Sequence, residues 1–321
     1  MSLSIIITSI NDQDETINTI RSIRETAGDR PEIIVVDDCS TTPFAEWLKH
    51  YTDLKVELVP NAFICGCGPS RHIGALHAKN DFLLFIDSHM RFTSGWYEIW
   101  HSDMMKIPMP FNTVACATCL GLDSLHMDPN MPTREYYGAT MNFYGPDRQK
   151  KDTTQIWEAV WTGQAEEPEN LGELPAVMGA CYFISKDWFL KMNATRFLRS
   201  WGCDEQLLSL KSWLMGGDVR MLKDVRIGHK FLLPNERQGF RPPLGHVIWN
   251  KIFSIWTICP ADIATKFTEL LLQNHDRDVE AAQRMMRSDW HIIAQERKAN
   301  QRLFQHDIRW YADKFRIPLP V

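Results

Sequence analysis

No run of this sequence approaches the roughly 20 apolar residues that a membrane-crossing helix needs, so no membrane span is expected. Charge of one sign is also scarce. Lys and Arg number 35 against 40 Asp and Glu, a net of -5. That balance removes any global electrostatic case for nucleic acid or an acidic membrane surface, and leaves open only a local basic groove. The opening residues Met1-Ser2-Leu3-Ser4 lack the basic stretch and cleavage site of a signal peptide. The expectation is a cytoplasmic protein, or one acting in a host cytoplasm if phage-encoded. The eight cysteines lack the double Cys-x2-4-Cys spacing of structural zinc sites. Cys65-Gly-Cys67 and Cys116-Ala-Thr-Cys119 therefore read as thiols rather than ligands or bridges. Repeats and low-complexity segments are missing too.

What is present is ordinary globular material. The 321 residues are 44% hydrophobic and 23% charged, enough to bury a sizeable core. In the first third, short apolar runs alternate with helical spacing. Ile5-Ile6-Ile7, Ile33 to Val36, Val56 to Val59 and Phe82 to Ile86 read as strands. Ile17, Ile20 and Ile23 lie at helical spacing, and Ser70 to Lys79 reads as a helix. Fully apolar strands alternating with helices predict an α/β fold whose mostly parallel sheet is covered on both faces. In such sheets ligands collect at the carboxyl ends of the strands. Polar groups stand at three of these ends: Thr8 and Asn11, Asp37 and Asp38, Asp87 and His89. From about 127 to 175 the pattern weakens into loop-rich sequence, which in a compact domain is often functional. From about 261 the chain reads as helical, with Asp276 or Asp278 capping one long helix through Trp290 to Leu303.

Several residue groups could carry chemistry. Asp87-Ser88-His89 places a carboxylate and an imidazole two residues apart just after a buried strand, where both can face one divalent ion. A turn cap with a surface histidine is the competing reading. Asp37 and Asp38 could bond a uracil or a ribose hydroxyl, or simply shape a turn. Gly66, Gly68, Arg71 and Gly74 form a glycine-rich entry to a helix, a place suited to phosphate. Trp201-Gly-Cys-Asp204-Glu205 offers two acids, either of which could act as a base, hold a sugar hydroxyl or cap the helix that follows. His229 follows a short strand and reads on its own as a satisfied polar residue.

Together these segments resemble the GT-A glycosyltransferases of the family 2 type. The likeness rests on Ser4 to Asp12, on Ile33 to Ser40 and on Gly68-Pro-Ser-Arg-His-Ile-Gly74. The second half is similar to the catalytic domain of the polypeptide N-acetylgalactosaminyltransferases. Asp87-Ser88-His89 is similar to their Asp-x-His motif, Met178 to Lys186 to their sugar-site strand, and Trp201 to Glu205 to their Trp-Gly-Gly-Glu-Asn. A gapless run from Trp201 then lands His229 on that family's third metal ligand.

This resemblance implies a manganese or similar divalent ion on Asp87, His89 and His229, with a UDP-sugar as donor. Thr8, Ile10, Asp37, Asp38, Arg71 and Ser88 would lie along the nucleotide, and Gly179 and Ala180 along the sugar. Asp204, Glu205 and Trp201 are the expected catalytic residues. Residues 231–243 would form a lid. Ile10 stands where an aromatic or His usually stacks on uracil. Ala180 replaces a Gly, Asp204 a Glu, and Leu232 an Arg. The implied outcome is retention. Inversion would need Asp204 or Glu205 as base.

The implied division is 1–120 for nucleotide binding, 121–255 for sugar and acceptor, and 256–321 as a helical extension, through which the chain could form a homo-oligomer. The acceptor is a macromolecule. A protein Ser/Thr is the nearest analogy. A hydroxymethylated pyrimidine in DNA is the rival, with a basic groove from Lys223, Arg226, Lys230, Arg237 and Arg241. A lipid-linked or polysaccharide acceptor comes third, and a GT-A module without catalysis is the alternative of another class.

Overall fold

A computed structural model describes residues 1–144, 155–231, 233, 241–273 and 277–320. The apolar runs become strands because each can be buried whole. The chain opens with β1 (Leu3–Ser9), α1 (Gln13–Ala27), β2 (Glu32–Asp37), the short α2 (Phe44–Leu48), β3 (Glu57–Pro60), α3 (Cys67–His77) and β4 (Phe82–Ile86). These four strands lie side by side and parallel, in the order β3-β2-β1-β4. Every residue of β4 is fully buried, as continuous apolar sequence between two helical layers requires.

Beyond β4 the sheet becomes mixed. The next elements are β5 (Met90–Phe92), α4 (Trp96–Lys106), β6 (Thr113–Leu122), β7 (Arg134–Tyr136), β8 (Ala139–Asn142), β9 (Glu158–Trp161), β10 (Cys181–Ser185), α5 (Lys186–Met192), α6 (Asp204–Leu214) and β11 (Asp218–Lys230). Strand β10 enters between β4 and β6 and runs antiparallel to both. The sheet continues β6-β11-β5, with β7 on the edge of β6 and β8–β9 as a separate pair. The run from Ala176 forms a strand only from Cys181, because Ala176 to Ala180 turns along the carboxyl end of β4: the Asp87 amide bonds the Ala180 carbonyl.

The tail is helical, but it starts earlier than its amphipathic pattern indicated. Helix α7 (Leu244–Ile258) precedes α8 (Ala261–Leu271), α9 (Arg277–Ser288), α10 (Trp290–Leu303) and α11 (Ile308–Phe315). Helix α7 is buried on nearly all sides, from Ile248 through Ile255. It therefore shows no polar stripe, and position 256 falls inside it. The single long helix expected here is two, broken at Asp289, whose carboxylate turns inward to Arg199 and to the Trp249 indole. Asp278 sits inside α9, and Asp276 lies outside the described residues. No helix of the described residues is long and apolar enough to cross a membrane.

Candidate metal and nucleotide site

The carboxyl end of β4 runs straight into Asp87-Ser88-His89, and β5 begins at the next residue. This turn is pinned from below. The Thr19 hydroxyl of α1 donates to the Ser88 carbonyl at 2.7 Å and accepts from the Met90 amide at 2.8 Å. Strand β11 pairs with β5 so that His229 stands opposite Met90. Register thus carries His229 to the side of the turn, 142 residues after Asp87 in sequence (229 - 87). One ligand atom from each of Asp87, His89 and His229 lies within 4.8 Å of the other two. The two imidazoles stand 4.9 Å apart between centroids. His229 Nε2 is 3.3 Å from Asp87 Oδ2.

The electrostatics of Asp87 and His229 suit cation binding. Burial alone would raise the Asp87 carboxyl, but His229 and the Arg71 guanidinium outweigh it and hold the group below its usual range. Burial lowers His229, which keeps it neutral with a lone pair for an ion. Burial would also lower His89, but Asp12 and Asp87 outweigh this and raise it. One carboxylate and two imidazoles, Asp87 and His89 half-buried and His229 buried, converge and fit a borderline divalent ion by donor chemistry. This is the one group of three or more His, Cys, Asp or Glu with metal-binding spacing among the described residues. The Cys116 and Cys119 thiols are buried inside β6 and free.

Arg71, on α3, is fully buried. It was expected along the diphosphate. Its two terminal nitrogens are instead committed inward, to Asp87 at 3.0 Å, to the Gly179 carbonyl at 2.9 Å and to Asp204. It ties together the Asp87 turn, the Gly179 loop and the start of α6. Asp37 is likewise engaged: its two oxygens accept from the Ser40 and Phe44 amides at 2.9 Å each. Asp38 accepts from the Cys65 and Gly66 amides at 2.8 Å each, from Asn61 and from Ser70. It thereby shapes the glycine-rich entry to α3. Gly66 sits there at φ 93°, and a Cβ on it would lie 2.2 Å from the Ser200 carbonyl oxygen. Thr8 and Ile10, both partly exposed, end β1 beside this loop, with the Thr8 hydroxyl 3.8 Å from the Cys67 sulfur.

Across the cleft, Asp204 and Glu205 begin α6. Glu205 is half-buried and accepts from the Gly179 amide and, at 3.1 Å, from the Trp161 indole. Burial and the adjacent Asp204 push its carboxyl up to about 8. A Cβ on Gly179 would stand 2.5 Å from Glu205, so glycine permits this contact. Ala180 is buried under the metal turn, and Trp201 is 58% exposed at the rim. The Ser88 hydroxyl bonds Asp12 at 2.6 Å.

The structure adds Tyr136 and Trp161, which the sequence reading did not single out, and gives Phe231 of the expected lid a place beside them. Trp161, Tyr136 and Phe231 form an aromatic wall beside the metal triad, with Trp161 and Phe231 centroids 6.1 and 4.5 Å from the His229 ring. Two of them come from the loop-rich region whose scattered aromatics were the available signal. Three members of the expected basic groove are paired: Lys223 with Glu167, Arg226 with Glu135, and Lys230 with Glu15. Arg241 is exposed. Arg237, Leu232 and most of the expected lid lie outside the described residues.

Residues 4–101 match the sequence model of the family described as "Glycosyl transferase family 2". The chain is 26% identical over 238 residues to polypeptide N-acetylgalactosaminyltransferase 8 of Drosophila melanogaster, covering 72% of this chain and 38% of that protein. It is 24% identical over 298 residues to polypeptide N-acetylgalactosaminyltransferase 5 of Rattus norvegicus, covering 88% and 29%. The chain thus spans little more than a third, or less, of these curated relatives. Among solved structures, GalNAc-T7 with UDP, GalNAc and Mn2+ superposes with TM-score 0.69 at 16% identity, over 100% of this chain and 58% of that one. S. aureus TarS 1-349 in complex with UDP-GlcNAc gives 0.52 at 13%, over 98% and 92%. The fold is GT-A, and the sequence is similar to glycosyltransferases over the stretches just given.

Proposed function

We propose that this chain transfers a sugar from a UDP-sugar to a hydroxyl acceptor, with a divalent ion, manganese by preference, held by Asp87, His89 and His229. The observation that carries this reading is the convergence of those three side chains from two strand ends. The relatives' printed names and the UDP and Mn2+ of the solved neighbours support it. Bound there, the ion supplies charge for the donor diphosphate and its leaving group. The rest falls to the chain's own residues. Thr8, Ile10, Asp37, Asp38 and Ser88 frame the nucleotide side. Arg71 acts by fixing Asp87, Gly179 and Asp204 relative to one another. Gly179, Ala180, Asp204 and Glu205 line the sugar, and Trp201 covers the diphosphate.

The reaction proceeds with retention, as the resemblance implies. NMR of the product anomer tests this, and a β-product from an α-donor overturns it. The acceptor is a protein Ser or Thr hydroxyl. The relatives' names and the aromatic wall of Tyr136, Trp161 and Phe231, suited to peptide side chains, favour it. A modified pyrimidine in DNA is disfavoured because Lys223, Arg226 and Lys230 already face carboxylates. The reading is tested by following UDP release from common UDP-sugars with Mn2+, together with mass spectrometry of protein and DNA acceptors. His229→Ala is expected to lower release at least about 100-fold with the thermal transition kept, since one of three ligands is lost. Full activity in that variant, or in metal-free buffer, overturns the metal centre.

A further inference from the structure

Asp12 follows β1 and stands at the N-cap of α1, where an aspartate ordinarily accepts an amide from its own first turn. It makes no such bond. Its carboxylate points across to the metal turn, 77 residues away, where Oδ2 lies 2.6 Å from the Ser88 hydroxyl and 3.3 Å from His89 Nδ1. The Ser88 hydroxyl itself is 3.2 Å from the same ring nitrogen. Two acceptor-capable oxygens therefore crowd Nδ1. An imidazole carries its proton on the nitrogen that faces an acceptor, which leaves the other nitrogen as the lone-pair donor.

We infer that Asp12 is the positioning residue for His89, holding Nδ1–H so that Nε2 is presented toward Asp87 and His229. This rests on the metal reading above and adds to it the orientation of one ligand. Metal-bound histidines usually have their second nitrogen held by a carboxylate, carbonyl or water in this manner. The Thr19 bonds fix the backbone of the turn but not the rotation of the His89 ring. Asp12 and Ser88 are the side chains hydrogen-bonded to that ring. Asp12 is 36% exposed, so its replacement does not open the core. Its own backbone carbonyl continues to receive the Thr16 amide whatever the side chain.

The test uses the full chain and Mn2+ alone as the probe, with free Mn2+ read by electron paramagnetic resonance. Asp12→Ala is expected to weaken Mn2+ binding about 10- to 100-fold. Asp12→Asn keeps a neutral acceptor, so its affinity should fall between alanine and wild type. In the metal-free chain at alkaline pH, where the ring is neutral, 15N NMR is expected to show His89 protonated at Nδ1 in wild type and mixed between tautomers in Asp12→Ala. A residue that merely supported the fold would leave both readings unchanged. Mn2+ affinity of Asp12→Ala within about twofold of wild type, or an Nε2–H tautomer in wild type, overturns the inference. Failure of the wild-type chain to bind Mn2+ overturns the metal centre itself, and this orientation with it.

Discussion

Glu205 shows how one side chain can report on the site through pH. Its carboxyl ordinarily titrates near 4.5, and burial beside Asp204 lifts it to about 8 in the folded chain. The folded state therefore binds this proton more tightly than the unfolded state. Its stabilising contribution is complete below pH 4.5 and is lost as pH rises through about 8. Thermal unfolding at constant ionic strength should show the wild-type midpoint falling across that window. Glu205→Gln keeps an acceptor for the Gly179 amide without a titrating proton. It should flatten the fall and unfold a few degrees (~2–5 °C) higher at pH 8. Parallel curves for the two proteins would dispose of the argument. Asp37 is a different case, since both its oxygens serve backbone amides. Asp37→Ala strands two buried donors and should cost about 2–4 kcal/mol in urea denaturation. A loss below about 0.5 kcal/mol would mean that water replaces it freely.

At the scale of elements, α7 is the brace of the site. Asn250 is fully buried, and its side chain accepts from the Arg199 amide and donates to the carbonyls of Arg199, Trp201 and Gly202. That loop needs holding: Ser200, Gly202 and Cys203 have φ of 52°, 95° and 70°. It also meets the donor side, because the Cys67 amide bonds the Ser200 carbonyl at 2.8 Å. His246, one turn earlier on α7, bonds the Ser200 hydroxyl at 2.7 Å. Asn250→Ala should therefore both destabilise the chain, by about 2–4 kcal/mol, and weaken UDP binding with Mn2+, which calorimetry below the unfolding range can read. Unchanged UDP affinity would make Asn250 a purely structural residue.

Over the whole molecule, the C-terminal helices are part of one packed body. Lys211 of α6 is fully buried, with its ammonium on the Met192 carbonyl at 2.9 Å and 3.8 Å from Glu296 of α10. The Tyr311 hydroxyl of α11 reaches the Pro175 carbonyl at 2.9 Å. The apolar faces of these helices, including Ile263, Phe267, Val279, Ile293 and Ile308, are spent within the chain. That leaves fewer apolar positions for the homo-oligomer contacts the tail suggested. Removal of residues 261–321 would uncover this apolar surface and take the Glu296 carboxylate away from Lys211. The truncated chain should be insoluble or lose its cooperative unfolding transition. A soluble, cooperatively folding truncation would show the tail to be a separate unit.

Local sequence was sufficient wherever one element could express the constraint alone. The β-branched and aromatic runs of β1, β2 and β4 had to be buried strands, and the carboxylates after β2 and β4 had to stand at the edge where ligands collect. Asp87 and His89, two positions apart, were therefore legible as a candidate pair, with a turn cap and a surface histidine as the local alternative. Strand order, register and side-chain direction were decided by contacts between distant segments. Antiparallel pairing of β11 with β5 set His229 beside the turn, which family resemblance anticipated and local pattern did not. The choice of Asp12 to face His89 rather than cap its own helix has no local signature, because both are ordinary for an aspartate in that position. Arg71 looks in sequence like a phosphate grip at a helix entry. Only the packed structure shows its charge committed to Asp87 and Asp204, since the partner that neutralises a buried guanidinium lies 133 residues away.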